Sequence, residues 1–306
     1  MNKIFFFLLV FVVQIVQIKA QWYDQKSLNA TILIEKEVNS QIVPLGAGIL
    51  MLNYKDRSTA VVITCAHLLN RSSIIITLNA DSSFIKYCQD YGKKKIVGEK
   101  LIWELVENKV RAAVFMEKNN MKYVVKNQAL DIAAFLIEFP QIILEDSSII
   151  NVASPTAIGI TTTKLRSDLK LGDDIYFVGF PFGIGAIGKN VEPLVRSGII
   201  SWLSKDSPNF LLDAFSYGGN SGSPIFKKGT MKWGSLNWEG IYFVGMITGH
   251  QKMQIDNVLV QPDTNKLEFK KSSVELNIGL AIGVWADYIL EIKNIAEGLD
   301  IAKTYD

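Results

Sequence analysis

Asp213-Ala214-Phe215-Ser216-Tyr217-Gly218-Gly219-Asn220-Ser221-Gly222-Ser223-Pro224 sets a serine between glycines, the local build that an acyl-transferring hydroxyl needs. Such a serine must project from a tight loop, with backbone N–H groups facing the oxygen that becomes negative in a tetrahedral intermediate. Gly219 can take backbone angles closed to residues with a β-carbon, so its N–H and that of Ser221 can point into one oxyanion hole. Gly222 leaves room for a substrate. Gly, Asn and Ser are also ordinary turn residues, so the stretch alone leaves open a plain surface turn before a strand at Pro224–Phe226.

A serine is a weak nucleophile at neutral pH and needs a base and an orienting acid from elsewhere in the chain. There are 2 histidines. His67 follows the apolar β-branched run Val61-Val62-Ile63-Thr64-Cys65-Ala66, a strand that delivers its end to an edge or cleft. His250 follows Gly245-Met246-Ile247-Thr248-Gly249, also at the end of an apolar strand. Asp131 opens the run Ile132-Ala133-Ala134-Phe135-Leu136-Ile137. A carboxylate at that place must find a partner, because burying it unpaired is costly. Taken singly, each of these residues also fits a structural role; taken in order, His67, Asp131 and Ser221 form a set.

Thr64-Cys65-Ala66-His67, Leu130-Asp131-Ile132-Ala133 and Gly219-Asn220-Ser221-Gly222-Ser223-Pro224 resemble the three catalytic blocks of trypsin-like serine peptidases, in the chymotrypsin-like order. The pattern is most similar to the high-temperature-requirement branch and related bacterial-type domains. Gly46-Ala47-Gly48-Ile49-Leu50, Gly172-Asp173-Asp174-Ile175, Val178-Gly179-Phe180-Pro181-Phe182-Gly183, Ser197-Gly198-Ile199-Ile200-Ser201 and Gly279-Leu280-Ala281-Ile282-Gly283 extend the likeness in the same order. The resemblance implies catalytic roles for His67, Asp131 and Ser221, an oxyanion hole from the Gly219 and Ser221 N–H groups, and protein or peptide substrates. It also implies that Phe215 forms the base of the primary specificity pocket, that Thr248 lies on the substrate-binding strand and that His250 sits on the pocket rim. Phe215 supplies no charge to pair a buried Lys or Arg, so an apolar side chain before the scissile bond is expected. Glutamate recognition through His250 is the rival.

Short β-branched runs recur between turn signals at residues 31–34, 48–52, 60–64, 74–78, 110–115 and 132–137, then at 175–178, 195–202, 210–212, 224–226, 241–248 and 277–282. This predicts an all-β fold. The resemblance makes it two packed six-stranded barrels, about 30–145 and 155–284, with the site in the cleft between them. Trp285, Tyr288, Ile289, Ile292, Ile295, Ala296 and Leu299 recur at helical spacing and predict a C-terminal helix over about 285–299. Lys93 to Asn120, rich in Lys, Glu and Asn, lengthens the His67–Asp131 interval and predicts an inserted hairpin or loop.

The chain has 306 residues, 49% hydrophobic and 20% charged, with net charge +2, ordinary for one globular enzyme and without the basic footprint of a nucleic-acid binder. Met1-Asn2-Lys3 followed by the apolar run Ile4 to Ile18 reads as a leader over residues 1–20, with Ala20 at the cleavage site. Residues 21–306 then form the peptidase domain, secreted, or periplasmic in a bacterium, with no stable membrane association after cleavage. An uncleaved anchor is disfavoured, since the run is shorter than the roughly 20 residues a crossing helix needs. Neither a metal cluster nor a phosphate loop is expected, and no cofactor. Cys65 and Cys88 leave two possibilities, a disulfide closing a loop beside His67 or two free buried thiols. Asn29-Ala30-Thr31 and Asn70-Arg71-Ser72 are glycosylation acceptors in a eukaryotic source. A fold that has lost turnover, a binding protein with an intact-looking site, is the alternative reading.

Overall fold

The computed structural model describes residues 27–55, 59–91, 95–97, 102–115, 124–138, 141–143, 149–151, 157–159, 162–233, 236–259 and 271–298. The predicted leader and Leu299 lie outside them. Nine strands make the first sheet: β1 (Thr31–Val38), β2 (Gln41–Leu52), β3 (Thr59–Cys65), β4 (Ser73–Asn79), β5 (Lys95–Val97), β6 (Ile102–Val106), β7 (Lys109–Phe115), β8 (Val125–Asn127) and β9 (Ile132–Glu138). Their order is β5-β6-β7-β4-β1-β2-β3-β9-β8. A small hairpin follows, β10 (Gln141–Ile143) with β11 (Ile149–Asn151).

The second half is β12 (Asp174–Gly179), β13 (Leu194–Leu203), β14 (Asn209–Asp213), β15 (Pro224–Trp233), β16 (Leu236–Leu259) and β17 (Lys271–Trp285). These six close into a barrel in the order β12-β13-β14-β17-β16-β15. The all-β architecture is thus as expected, and every run read as a strand lies within one. The first unit differs in detail from a six-stranded ring, because the inserted stretch contributes the β5–β6 edge beyond β7.

The central strands β3 and β9 are apolar without alternation because both faces are covered. Ala60, Val62, Ala133, Phe135 and Ile137 point into the core of the first sheet. Val61, Ile63, Cys65, Ile132, Ala134 and Leu136 point the other way, into a core shared with Val178, Phe226, Phe243, Met246 and Val284 of the barrel. The C-terminal helix, Ala286–Glu297, seals this shared core with Ala286, Ile289, Ile292 and Ala296. Its buried Lys293 pairs with Glu297 one turn on, 2.5 Å away, so its inner face is not wholly apolar, and Ile295 is exposed.

A helix at Ser82–Tyr91 has no counterpart in the sequence reading. Its signals are short: Asp81 accepts the Ser83 N–H at 2.9 Å as a cap, and Phe84 and Cys88, four apart, are buried in the first core. Neither cysteine is in a disulfide, and both are buried. Cys88 belongs to the first core and Cys65 to the shared one, on opposite sides of the sheet, which settles the two possibilities in favour of two buried thiols.

Candidate active site

His67 sits on a one-turn 3₁₀ segment, Ala66–Leu69, that begins where β3 ends at Cys65. Asp131 occupies the turn before β9, and β3 and β9 are paired with Cys65 opposite Ile132. That register brings the two side chains together across 64 residues of sequence. Asp131 Oδ2 lies 2.5 Å from His67 Nδ1, and Asp131 Oδ1 accepts the backbone N–H of His67 at 2.9 Å. The Asp131 carbonyl accepts the Ala66 N–H at 3.1 Å. One carboxylate therefore grips both the ring and the main chain of the histidine. Asp131 holds φ at 53°, a left-handed conformation that Asp and Asn tolerate better than most residues.

The loop carrying Ser221 is pinned on several sides. The Ser221 carbonyl accepts the Ala47 N–H at 2.7 Å, Gly222 N–H donates to the Ile247 carbonyl at 2.8 Å, and Ile247 N–H donates to Ser223 at 2.9 Å. Gly222 has φ 85°, and a β-carbon there would stand 1.8 Å from the Ala47 carbonyl oxygen and 2.8 Å from Thr64 Oγ1. A β-carbon on Gly46 would meet both the Ser221 carbonyl, at 2.6 Å, and Leu68, at 2.7 Å. The serine loop thus packs against the strand end that carries His67. No hydrogen bond joins Ser221 Oγ to His67 among the described residues; such contacts often tighten only when substrate binds.

Two peptide planes in this loop have fixed orientations. The Gly218 carbonyl accepts the Phe182 N–H at 2.7 Å, and the Asn220 carbonyl accepts the Ser223 N–H at 2.9 Å. In a trans peptide the next N–H points opposite to the carbonyl, so the N–H groups of Gly219 and Ser221 are turned away from those bonds. Neither donates within the described residues. Gly219 requires its φ of 94°, since a β-carbon would lie 2.1 Å from the Phe180 carbonyl oxygen.

Phe215 is half exposed, lies flat near Tyr217 at a centroid distance of 6.1 Å and rests on Gly279, whose missing β-carbon would be 3.3 Å from the ring. Asn277, which the sequence did not single out, holds this segment: its Nδ2 donates to the Ser216 carbonyl at 2.5 Å and its Oδ1 accepts the Gly279 N–H at 2.9 Å. Thr248 and His250 lie on β16, with His250 opposite Ala281 of β17. Phe182 is a second residue not singled out, and its ring packs on Tyr217 at 4.9 Å. Arg196 covers the Tyr217 ring at 4.9 Å.

Cys65, His67 and Asp131 place one potential ligand atom each within 4.8 Å of one another, a set that could hold a metal. Burial, then the nearby Asp131 charge, pushes the Cys65 thiol well above its ordinary range. The thiol instead donates to the Ile247 carbonyl at 3.4 Å. This arrangement suits a hydrogen-bonded histidine and carboxylate better than a metal centre.

Residues 46–231 match the family model of the trypsin-like peptidase domain. The chain belongs to that family: it is a trypsin-like peptidase, a hydrolase whose substrates are proteins. No curated protein matches the chain.

Proposed function

We propose that the protein is a secreted serine endopeptidase working through His67, Asp131 and Ser221. The observation that carries the proposal is the two-point grip of Asp131 on His67, at 2.5 and 2.9 Å. With the carboxylate on Nδ1, the ring keeps its proton there and leaves Nε2 as the acceptor for a serine proton. Ser221 Oγ attacks the carbonyl carbon as His67 takes its proton, and the oxygen of the tetrahedral intermediate is received by the Gly219 and Ser221 N–H groups. His67 then gives the proton to the departing amine, leaving an acyl-enzyme that water hydrolyses by the reverse sequence. Asp131, bonded to Nδ1, stabilises the imidazolium.

The half-exposed Phe215 ring on Gly279 supports a shallow apolar pocket that takes Val, Ala, Leu or Met. Secretion rests on the leader pattern of residues 1–20. A fluorophosphonate probe tests the core of the proposal. It should label the wild type covalently, and Ser221→Ala should abolish labelling and lower turnover by about 10⁴ to 10⁶ while the protein stays folded. Undiminished labelling of the variant sinks the assignment, and an unlabelled, folded wild type supports a binding protein without turnover.

A further inference from the structure

The inserted stretch within Lys93 to Asn120 has no part in the reaction just proposed, yet it reaches the loop that shapes the oxyanion site. Its β6–β7 hairpin turns at Glu107 and Asn108, with Val106 opposite Lys109. Lys109 is 3% exposed, and lysines are almost never fully buried unless paired. Its Nζ donates to the carbonyls of Ala186, at 3.0 Å, and Gly188, at 2.7 Å. The neighbouring Asn108 N–H donates to Lys189 at 3.3 Å. Asn79, the last residue of β4, donates Nδ2 to the Val191 carbonyl at 2.9 Å and accepts the Val191 N–H at 2.6 Å. Phe180, Ala186 and Val191 pack on Leu33 and Ala47 of the first sheet.

Loop 180–191 is thereby tied to the first sheet at its middle and its end, while its beginning holds the serine loop. Phe182 donates its N–H to the Gly218 carbonyl with φ 54°, a conformation that an aromatic residue adopts only when its surroundings impose it. Fixing the Gly218 carbonyl fixes the direction of the Gly219 N–H. Burial, then the charge of Arg111, lowers the Lys109 ammonium's pKa, with Glu35 and Glu107 opposing.

We infer that Lys109 is a positioning residue for the oxyanion hole: the inserted hairpin uses its ammonium to hold loop 180–191, and through Phe182 the Gly218–Gly219 peptide, in the orientation that receives the substrate's oxyanion. The inference rests on the serine-peptidase reading. It also gives the insertion a purpose, a brace that the chain carries within itself.

Lys109→Met removes the ammonium and keeps the stem. On a peptide substrate, kcat should fall about 10- to 100-fold, less than the roughly 10²- to 10³-fold expected on deleting an oxyanion donor outright. KM should stay within about threefold, since ground-state contacts are untouched. Affinity for a peptide boronate, whose tetrahedral adduct uses the hole, should fall by the same factor as kcat, and affinity for a non-covalent product peptide should not. Where Lys109→Met fails to fold, Asn79→Ala, which removes the two bonds to Val191, must give the same signature. Unchanged kcat and boronate affinity in a folded variant, or a rise in KM alone, overturns the inference. Fluorophosphonate labelling of the wild type separates the two failures: labelled enzyme with unaffected variants refutes only the role of Lys109, whereas unlabelled enzyme refutes the reading beneath it.

Discussion

Asp131→Asn is the most informative single substitution, because the structure dictates how the amide must sit. The backbone N–H of His67 can only donate, and it points at Asp131 Oδ1 from 2.9 Å. An asparagine therefore keeps its oxygen on that N–H and turns its NH₂ toward His67 Nδ1, where Oδ2 now lies at 2.5 Å. Facing a donor, Nδ1 must become the acceptor, which moves the ring proton to Nε2. His67 then cannot accept the serine proton. Asn also tolerates φ 53° at this position, whereas Ala adds strain of roughly 1–2 kcal/mol and confounds the comparison. On the proposed mechanism kcat should drop about 10⁴-fold, or about 5.4 kcal/mol at 1.36 kcal/mol per decade. Stability should change little, since both side-chain contacts persist, the one to Nδ1 with its donor and acceptor exchanged. Steady-state hydrolysis of a peptide amide, paired with thermal unfolding, measures both. A folded Asp131→Asn protein retaining more than about a tenth of wild-type kcat would refute the tautomer argument and with it the role of Asp131.

Cys65 should resist alkylation by iodoacetamide at pH 8 in the native protein and react once unfolded, because burial and Asp131 hold its thiol up; rapid native labelling contradicts this. Since the folded thiol binds its proton more tightly than the unfolded one, its stabilising contribution is complete below about pH 8.5 and is lost as pH rises toward the folded value. Cys65→Ala should therefore flatten the alkaline fall in stability, as followed by urea midpoints from pH 7 to 10. In a positional-scanning peptide library, Val, Ala, Leu or Met before the cut should outrun Lys or Arg, whose desolvation beside Phe215 lacks a partner. Dominance of Lys or Arg refutes the pocket argument, and dominance of Glu that disappears in His250→Ala moves the specificity to the rim.

The class of fold was readable in one dimension because strands leave local marks, short β-branched runs bounded by turns. The candidate site residues were chosen on local marks too: a serine between glycines, a histidine after an apolar strand and an aspartate before one. The helix at Ser82–Tyr91 escaped because its buried side is marked by Phe84 and Cys88 with Tyr87 partly packed beside them, too few turns to raise a period. The insertion was legible as a hairpin or loop within Lys93 to Asn120, but no local feature sets Lys109 apart in a stretch rich in Lys, Glu and Asn.

Tertiary structure alone decided the rest, because those relations join residues far apart in the chain. Whether Cys65 and Cys88 could meet depended on which side of the sheet each faced. The grip of Asp131 on His67 depended on the β3–β9 register, and the orientation of the Gly219 N–H on a bond from Phe182, 36 residues before Gly218. Lys109 reaches Ala186 across 77 positions. Sequence specifies which groups exist and which local conformations they favour; only the packing of the first sheet on the barrel fixes the distances, and hydrogen bonds depend steeply on distance and angle.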